Sequence, residues 1–321
     1  MKNRKLALAA LTFMLVLILA ITTSYVQPPL GEDEDKDKDK DKDNVTHVVA
    51  YLLDTKEDET VKDEEELLSS KIVELKNTVT DYIEDELNNS GQISMTYYDI
   101  RLEKGFEING DMEYHPASLS KLYIVITLYD LAHSNALDIN SKVYYSGSDY
   151  EAGTGILQGM NRSAGYSYLT LSDYAIKYSD NIAYRMLNRT LGYNTIKDTY
   201  ESIIGRESVI DPKTDAMKMS TNDAVCLLNR VYCNEDDNYL YSRMIENMKS
   251  TVFDDRIQKY LPENIVAHKI GAYSDYFHDA GIVYANRPYI LAVFTKNIYD
   301  ADEKIAQISK IIYEIVADNF L

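Results

Sequence analysis

After its first 63 residues, the chain alternates between blocks of helical and strand-like hydrophobic spacing. Apolar residues recur at helical spacing from Glu64 to Asn88, where an Asn-Asn-Ser-Gly run ends the predicted helix. Residues Ile93 to Leu102 have strand character, and Asn109-Gly110 predicts a hairpin turn into a second strand. A strongly apolar helix is predicted from Ser118 to about Leu131.

The block from Ala132 to Ser250 is predicted to consist mainly of helices and loops. Its predicted helices are Ser172 to Arg189, Asn194 to Ile204, Thr221 to Val231 and Tyr239 to Met248. Strand patterns return at Asn264 to Ile270, His278 to Tyr284 and Tyr289 to Thr295. A final helix from Ala301 to Asn319 carries isoleucines on one side.

The order of elements is therefore helix, two strands, a helical block, three strands and helix. Strands separated by hairpin-length turns favour an antiparallel sheet, and the outer helices would pack against it. We expect an α+β fold with a five-stranded antiparallel sheet, flanked by the N- and C-terminal helices, and an inserted all-helical lobe. A cleft between the two lobes is the natural place for an active site.

The N-terminal segment has the pattern of a membrane anchor. Lys2, Arg4 and Lys5 precede an apolar run from Leu6 to about Val26, close to the roughly 20 residues of a spanning helix. Ala20-Ile21-Thr22 is a poor cleavage site, so an uncleaved anchor is favoured over a cleaved signal peptide. Both interpretations put the remainder outside the cytoplasm, single-pass at the cell membrane or secreted.

Three segments are predicted: an anchor at 1–27, a charged flexible linker at 28–63 and one folded domain at 64–321. Residues Glu32 to Asp43 contain eight acids and four lysines and nothing to bury, which is typical of a solvated spacer. Weak cation binding by this tract is a lesser alternative. The domain divides into an α/β lobe (64–131 and 258–321) and a helical lobe (132–257).

Charge and composition narrow the function. The formal net charge of −19 argues against nucleic acid and against docking on anionic lipid through a basic patch. Cys226 and Cys233 could pair in an exported protein, but with a spacing of seven, idle thiols are the default. The five histidines are scattered and form no metal motif, so we expect no metal and no other cofactor.

The first of three candidate motifs is Ser118-Leu119-Ser120-Lys121. Ser118 and Lys121, three apart on a helix, share a face, and the positive field of a helix start disfavours a charged lysine. A neutral Lys121 could deprotonate Ser118 as a nucleophile. Alternatively, Ser118 caps the helix and Lys121 is exposed.

Ser179-Asp180-Asn181 is the second motif. Ser179 could pass a proton to a leaving nitrogen, Asn181 could bind Lys121 or a substrate amide, and Asp180 could hold the loop through backbone amides. The alternative is an ordinary helix cap or turn.

The third motif, Lys269-Ile270-Gly271, lies at the end of a predicted strand. Lys269 could bind a substrate carboxylate and keep Lys121 neutral, while Gly271 would let substrate approach the strand edge. The amides of Ala272 and Ser118 could form an oxyanion hole. The alternative is a surface lysine before a turn.

These motifs, in this order, resemble those of class A β-lactamases and penicillin-binding proteins, over about residues 64 to 321. Gly153-Thr154-Gly155-Ile156-Leu157 adds to the resemblance, as does the strand pair from His278 to Thr295 with Arg287-Pro288 in its turn. It implies Ser118, Lys121, Ser179 and Asn181 as catalytic residues. Lys269, Gly271, Ala272 and Tyr273 would bind the substrate.

Two departures from the family pattern concern deacylation and carboxylate binding. The usual Glu-x-x-Leu-Asn loop, whose Glu activates the deacylating water, is missing, and the corresponding stretch offers only Asp211 and Asp215. Ile270 stands where a hydroxyl residue is usual, and no arginine follows on the next strand. Carboxylate binding would then fall to Lys269 and Ser179, with Tyr273 or His278 as further candidates.

The resemblance implies a membrane-anchored, extracytoplasmic serine hydrolase that forms an acyl-enzyme with β-lactams and deacylates slowly. One alternative is a D-alanyl-D-alanine carboxypeptidase or penicillin-binding protein acting on peptidoglycan peptides. Another is a non-catalytic wall-binding module on the same fold. The expected partners are a small-molecule or peptide substrate and the membrane, but no nucleic acid, and we expect a monomer.

Overall fold

A computed structural model of the chain describes residues 66–86, 91–214 and 216–319. Its helices are α1 (66–86), α2 (Ser120–His133), α3 (Tyr168–Lys177), α4 (Asn181–Leu191), α5 (Tyr193–Ile204), α6 (Thr221–Cys233), α7 (Tyr239–Lys249) and α8 (Ala301–Asn319). Its strands are β1 (Gln92–Asp99), β2 (Lys104–Ile108), β3 (Lys142–Val143), β4 (Tyr166–Ser167), β5 (Val266–Tyr273), β6 (Tyr276–Val283) and β7 (Tyr289–Lys296).

Five of these strands form one antiparallel sheet in the order β2-β1-β7-β6-β5. The short strands β3 and β4 pair separately within the helical block. Strand β5 is therefore an edge strand, with β6 on one side only. This arrangement confirms the predicted α+β fold with a five-stranded antiparallel sheet.

Both faces of the sheet are buried, and successive residues of a strand serve opposite faces. On one face the sheet packs against α1 and α8, through residues such as Leu75 and Ile308. The opposite face packs against the helical block, through residues such as Leu228. In β7, Ile290, Ala292 and Phe294 belong to the cluster with the helical block, whereas Tyr289, Leu291 and Val293 belong to the other.

The prediction of a hairpin turn at Asn109-Gly110 is wrong. The β1–β2 turn lies at residues 100–103, and Asn109 follows the end of β2. Asp99 explains the earlier turn, because its Oδ1 accepts the backbone N–H groups of Arg101 and Leu102 at 3.0 and 2.9 Å.

The predicted single helix from Ser172 to Arg189 is also wrong, since the chain forms two helices, α3 and α4. They are separated at Ser179, whose φ of 50° is incompatible with a continuous right-handed helix. The interruption presents the second motif as a loop that begins a new helix.

Cys226 and Cys233 are both free, as the default interpretation held. They lie seven residues apart on α6, about 10 Å along the helix axis, which is beyond disulfide reach. No described helix is long and apolar enough to cross a bilayer. The predicted anchor at 1–27 and linker at 28–63 lie outside the described residues, and the domain boundaries stay predictions.

Candidate active site

Ser118 lies on a tight turn that leads directly into α2. Residues Ala117–Leu119 form a single 3₁₀ turn, in which Leu119 N–H donates to the Pro116 carbonyl at 3.0 Å. Ala117 has a φ of 49°, an uncommon conformation for a residue with a Cβ. Its N–H donates to Nδ1 of His115 at 3.1 Å. The turn thus holds Ser118 half-buried at the start of an otherwise buried helix.

Lys121 joins the first two motifs. Its Nζ lies 2.7 Å from Ser118 Oγ, 3.0 Å from Asn181 Oδ1 and 3.4 Å from Ser179 Oγ. The residue is only 2% exposed, so the alternative of an exposed lysine beside a capping serine does not hold. The amide of Asn181 is oriented by its second bond, from Nδ2 to the Ala152 carbonyl at 2.9 Å.

The Ser179 loop is fixed by Asp180 and by the Gly153-Thr154-Gly155 segment. Asp180 caps α4 by accepting the Ala183 N–H at 2.9 Å, and it also accepts the Leu157 N–H at 2.7 Å. The Thr154 hydroxyl donates to the Ser179 carbonyl at 2.7 Å. A Cβ on Gly155 would lie 2.3 Å from the Asp180 carboxyl carbon, so these segments interlock.

Lys269 extends from β5 to the back of the same cluster. Its Nζ donates to Ser179 Oγ at 2.9 Å and to the Ile270 carbonyl at 2.8 Å. The side chain is completely buried, which removes the alternative of a surface lysine before a turn. Ser179 Oγ therefore lies between the two lysine amines, in position to relay a proton.

Burial is the largest influence on the pKa of both lysines. It lowers the pKa of Lys121 to about 8, partly opposed by the charges of Glu151 and Asp180. Burial also lowers the pKa of Lys269 well below its ordinary value, and the nearby Lys121 adds to this effect. A neutral Lys121, as base catalysis needs, is therefore accessible near neutral pH.

Gly271 has a role in packing. A Cβ at this position would lie 2.9 Å from the Pro116 carbonyl oxygen and 3.3 Å from the Ala117 Cβ. The glycine therefore lets β5 approach the turn that carries Ser118. Gly271 is buried in strand β5 and does not line the cleft above Ser118.

A cleft of about 530 Å³ opens over these groups, between the helical block and β5. Six of the predicted site residues line it: Ser118, Lys121, Ser179, Asn181, Ala272 and Tyr273. Lys269 lies behind Ser179, and Gly271 lies beneath the Ser118 turn. A cavity of about 650 Å³ between α5 and α6 contains none of the three motifs.

Ile270, already noted in the third motif, also lines the cleft. Several other lining residues were not predicted as site residues: His115, Glu151, Thr154, Tyr184, Arg185 and Phe253. Glu151 and Arg185 form an exposed ion pair, with Nε 3.6 Å from Oε2. Phe253 lies beneath Lys269, whose Nζ is 5.9 Å from the ring centroid. Only Thr154 had a sequence signal, as part of the Gly153-to-Leu157 match.

The prediction that His278 could help to bind a substrate carboxylate is wrong. His278 is completely buried, its Nε2 donates to the His115 carbonyl at 2.9 Å, and its Nδ1 accepts the Thr295 N–H at 3.2 Å. Both ring nitrogens are therefore occupied away from the cleft. Tyr273 is 51% exposed at the cleft edge, where its ring stacks on His115 at a centroid distance of 4.5 Å.

The stretch that corresponds to the missing Glu loop forms a short turn closed by an Ile210–Met217 bridge. Asp211 stabilises this turn by accepting the Lys213 N–H at 2.8 Å, and it does not line the cleft. Thr214 and Ala216 do line it. Asp215, between them, lies outside the described residues. No cluster of metal-ligating side chains occurs in the described part of the chain.

Comparison with known structures returns the same fold. A β-lactamase from Sphaerobacter thermophilus has a TM-score of 0.67 at 19% identity, over 74% of this chain and 95% of that one. The TLA-3 extended-spectrum β-lactamase has a TM-score of 0.68 at 20% identity, over 76% and 99%. A PBP-A mutant, solved as an acyl-enzyme complex with penicillin G, has a TM-score of 0.67 at 20% identity, over 75% and 96%.

A comparison with curated protein sequences gave no match. The sequence profile of the Beta-lactamase enzyme family, in contrast, matches residues 74–316. The fold and the three converging motifs define a serine hydrolase of the β-lactamase type. The chain belongs to the Beta-lactamase enzyme family.

Proposed function

We propose that the protein is an extracytoplasmic, membrane-anchored serine hydrolase that forms an acyl-enzyme at Ser118 and releases the acyl group slowly. The observation that carries the proposal is the position of Lys121 Nζ, 2.7 Å from Ser118 Oγ and 3.4 Å from Ser179 Oγ. β-Lactams and D-Ala-D-Ala peptides are the acyl donors in question. The acyl-enzyme of the PBP-A mutant with penicillin G supports this chemistry on the same fold.

In the proposed acylation, neutral Lys121 takes the Ser118 proton while Oγ attacks the carbonyl carbon of the scissile amide. When the tetrahedral intermediate collapses, the C–N bond breaks. The proton then passes from Lys121 through the Ser179 hydroxyl to the leaving nitrogen. Lys269, bonded to Ser179 at 2.9 Å, orients that hydroxyl.

The oxyanion would be bound by the amides of Ser118 and Ala272. Ser118 lies in the first turn of a helix, where N–H groups lack intrahelical partners. Tyr273 and Tyr276 flank the two-residue β5–β6 turn and form its hydrogen-bonded pair, so the Ala272–Phe277 pair is of the non-bonded type. The Ala272 N–H would therefore point away from β6, toward the cleft.

Slow deacylation follows from the missing glutamate. Hydrolysis of the ester needs a base within reach of a water molecule, and Asp211 is committed to its turn. Asp215 is our candidate for a substitute base. If Asp215→Asn prolongs the acyl-enzyme lifetime while Asp211→Asn does not, Asp215 is the base. An acyl-enzyme lifetime in Asp215→Asn equal to that of the wild type would contradict this role.

The second candidate is a D-alanyl-D-alanine peptidase. A slowly released acyl-enzyme suits a peptidase inhibited by penicillin better than an efficient β-lactamase. Rapid hydrolysis of a chromogenic cephalosporin without an initial burst would favour the β-lactamase. A purely wall-binding module is disfavoured, because Ser118, Lys121, Ser179 and Asn181 form one connected hydrogen-bond network.

The proposal is tested by labelling the purified protein with a fluorescent penicillin. We expect label on the wild type and on Ser163→Ala, an exposed serine outside the cleft, but none on Ser118→Ala. Equal labelling of wild type and Ser118→Ala would contradict acylation at Ser118. Membrane location is tested separately, by fractionating cells that express the full chain and a chain lacking residues 1–27.

A further inference from the structure

The turn that carries Ser118 is held by the side chain of His115. The Ala117 N–H donates to Nδ1 of this histidine at 3.1 Å, a short-range bond from the backbone to a side chain two residues earlier. Ala117 has a φ of 49°, a conformation that a residue with a Cβ rarely adopts without support. Because Ala117 directly precedes Ser118, its conformation sets the direction of the Ser118 N–H, one of the two proposed oxyanion donors.

His115 is itself fixed by contacts with two strands. Its carbonyl accepts the His278 Nε2–H at 2.9 Å, which ties this part of the backbone to β6. Its ring stacks on Tyr273 of β5, with 4.5 Å between the centroids and 24° between the ring planes. The ring of Tyr276 lies 6.0 Å away. These contacts restrict rotation of the imidazole, so Nδ1 stays directed at the Ala117 N–H.

The bond to Ala117 requires a neutral imidazole, because Nδ1 accepts a hydrogen bond only when it carries no proton. Burial lowers the pKa of His115, partly opposed by the charge of Asp211 in the short turn that replaces the Glu loop. The titratable groups that face the ring from β5 and β6 are Tyr273, Tyr276 and His278, and burial lowers the pKa of His278 to about 4. The His115 ring is therefore neutral at neutral pH and becomes cationic only in acid.

Protonation of His115 would place a ring N–H against the Ala117 N–H. Two donors cannot form a hydrogen bond with each other, so the turn would lose the partner that supports its left-handed residue. The hydroxyl and N–H of Ser118 would then leave their positions for attack on a carbonyl, and small misplacements of reacting groups slow a reaction strongly.

We propose that His115 is a positioning residue that keeps the Ser118 turn reactive only while its ring is neutral, so that acid stops acylation more steeply than protonation of Lys121 alone. This inference rests on the proposed acyl transfer at Ser118 and adds a regulation of that same site. His115 touches no reacting atom, and it acts through the shape of the turn.

The first test is the pH profile of acylation in the wild type. The acyl donor is an N-benzoyl-D-alanyl thioester, which is stable in acid, and single-turnover thiol release is measured from about pH 8 to about pH 4.5. Loss of neutral Lys121 alone lowers the rate about tenfold per pH unit. Once His115 is protonated as well, we expect about a hundredfold per unit. A fall of about tenfold per unit over the whole range would overturn the inference.

Two substitutions separate the acceptor from the ring. His115→Asn keeps an acceptor that does not titrate, because Oδ1 of asparagine is bonded to Cγ as Nδ1 is in histidine. Near pH 8 it should acylate within about threefold of the wild-type rate, and in acid its rate should fall only about tenfold per pH unit. His115→Phe keeps a ring to stack on Tyr273 but has no acceptor, and near pH 8 it should acylate about tenfold more slowly or worse.

His133→Asn, at the end of α2 and outside the cleft, is the matched control and should keep the rate and the profile of the wild type. Circular dichroism and urea unfolding check that each protein is folded across the pH range. If a His115 variant fails to fold, the wild-type profile still decides the question.

Equal losses in His115→Asn and His115→Phe would overturn the inference, because the ring rather than the acceptor would then matter. Normal acylation by His115→Phe, or a His115→Asn profile as steep as that of the wild type, would also overturn it, while the Ser118 acyl-enzyme stood. If intact mass finds no acyl group on wild-type Ser118 at any pH, the proposed function fails and the inference falls with it.

Discussion

The two sides of the cleft are built on different principles. The network wall, formed by Ser118 and Lys121 at the start of α2 and by Ser179 and Asn181 at the start of α4, is a connected set of hydrogen bonds within 2.7 to 3.4 Å of one amine. The strand wall, formed by Ile270, Ala272 and Tyr273, has an apolar residue at its centre and is shaped by backbone packing.

This difference separates the chemistry of the enzyme from its specificity. Where each polar group of a network has a partner, removing any one side chain leaves its former partners buried and without a hydrogen bond. The catalytic network should therefore be sensitive to the loss of any of its members. The strand wall makes few such bonds, so changes there should alter which substrate is accepted more than whether the reaction occurs. The following predictions test that separation, beginning with the largest effect.

Replacing Lys121, the proposed base, should have the largest effect on the rate of acylation. Lys121→Met keeps the length of the side chain but removes the amine, and we expect acylation to slow by about a thousandfold or more. The fold should survive, because a buried amine is replaced by an apolar group. Stopped-flow acylation and urea unfolding measure the two quantities. Lys177→Met, on α3 outside the cleft, is the control and should acylate normally.

Ser179→Ala should slow acylation by about a hundredfold, since the leaving nitrogen loses its proton donor. The loss should be smaller with a thioester, whose thiolate leaves without a proton. We would measure both rates on the same variant. An equal loss for amide and thioester donors would assign Ser179 a structural role instead.

The pH dependence of acylation should follow Lys121. Burial lowers its pKa to about 8, and the neutral form is the base. The rate should therefore rise about tenfold per pH unit below 8 and level off above it. Single-turnover acylation between pH 6 and 10 checks this. A flat profile, or a rise that continues to pH 10, would contradict the assignment of Lys121 as the base.

Gly271→Ala should have the smallest effect on the reaction and a measurable effect on stability. The added Cβ would lie 2.9 Å from the Pro116 carbonyl oxygen, so the turn must shift, at a cost of about 1–3 kcal/mol in the free energy of unfolding. The Cβ added by Gly147→Ala has no atom within 4 Å, so this control should change the free energy of unfolding by less than about 0.5 kcal/mol. Equal stability of the two variants would show that Gly271 is not needed for this contact.

Much of the fold could be predicted from the sequence, because long periodic segments specify their own elements. Strands β5 to β7 and helix α8 were predicted within a few residues of their observed ends. Two elements were predicted wrongly because local interactions overrode the hydrophobic pattern. The Asp99 side chain created a turn before Asn109-Gly110 was reached, and Ser179 broke a helical pattern with a left-handed residue that hydrophobic spacing does not reveal.

The motifs could be found in sequence, but not the environment that gives them their properties. The burial of Lys269 depends on β5 packing against the Ser118 turn, a contact between segments about 150 residues apart. The second hydrogen bond of Ser179, to Lys269, likewise depends on tertiary structure. Residues such as Glu151, Arg185 and Phe253 belong to no motif, and only the folded chain brings them to the cleft.

The central claim is that Ser118 forms a covalent acyl-enzyme that persists. Intact mass spectrometry at intervals after brief exposure to penicillin G tests it most directly. The account predicts a mass increase of one penicilloyl group that maps to Ser118, decays slowly and is absent from Ser118→Ala. An unchanged mass at every time point, with no hydrolysis of the antibiotic, would contradict it.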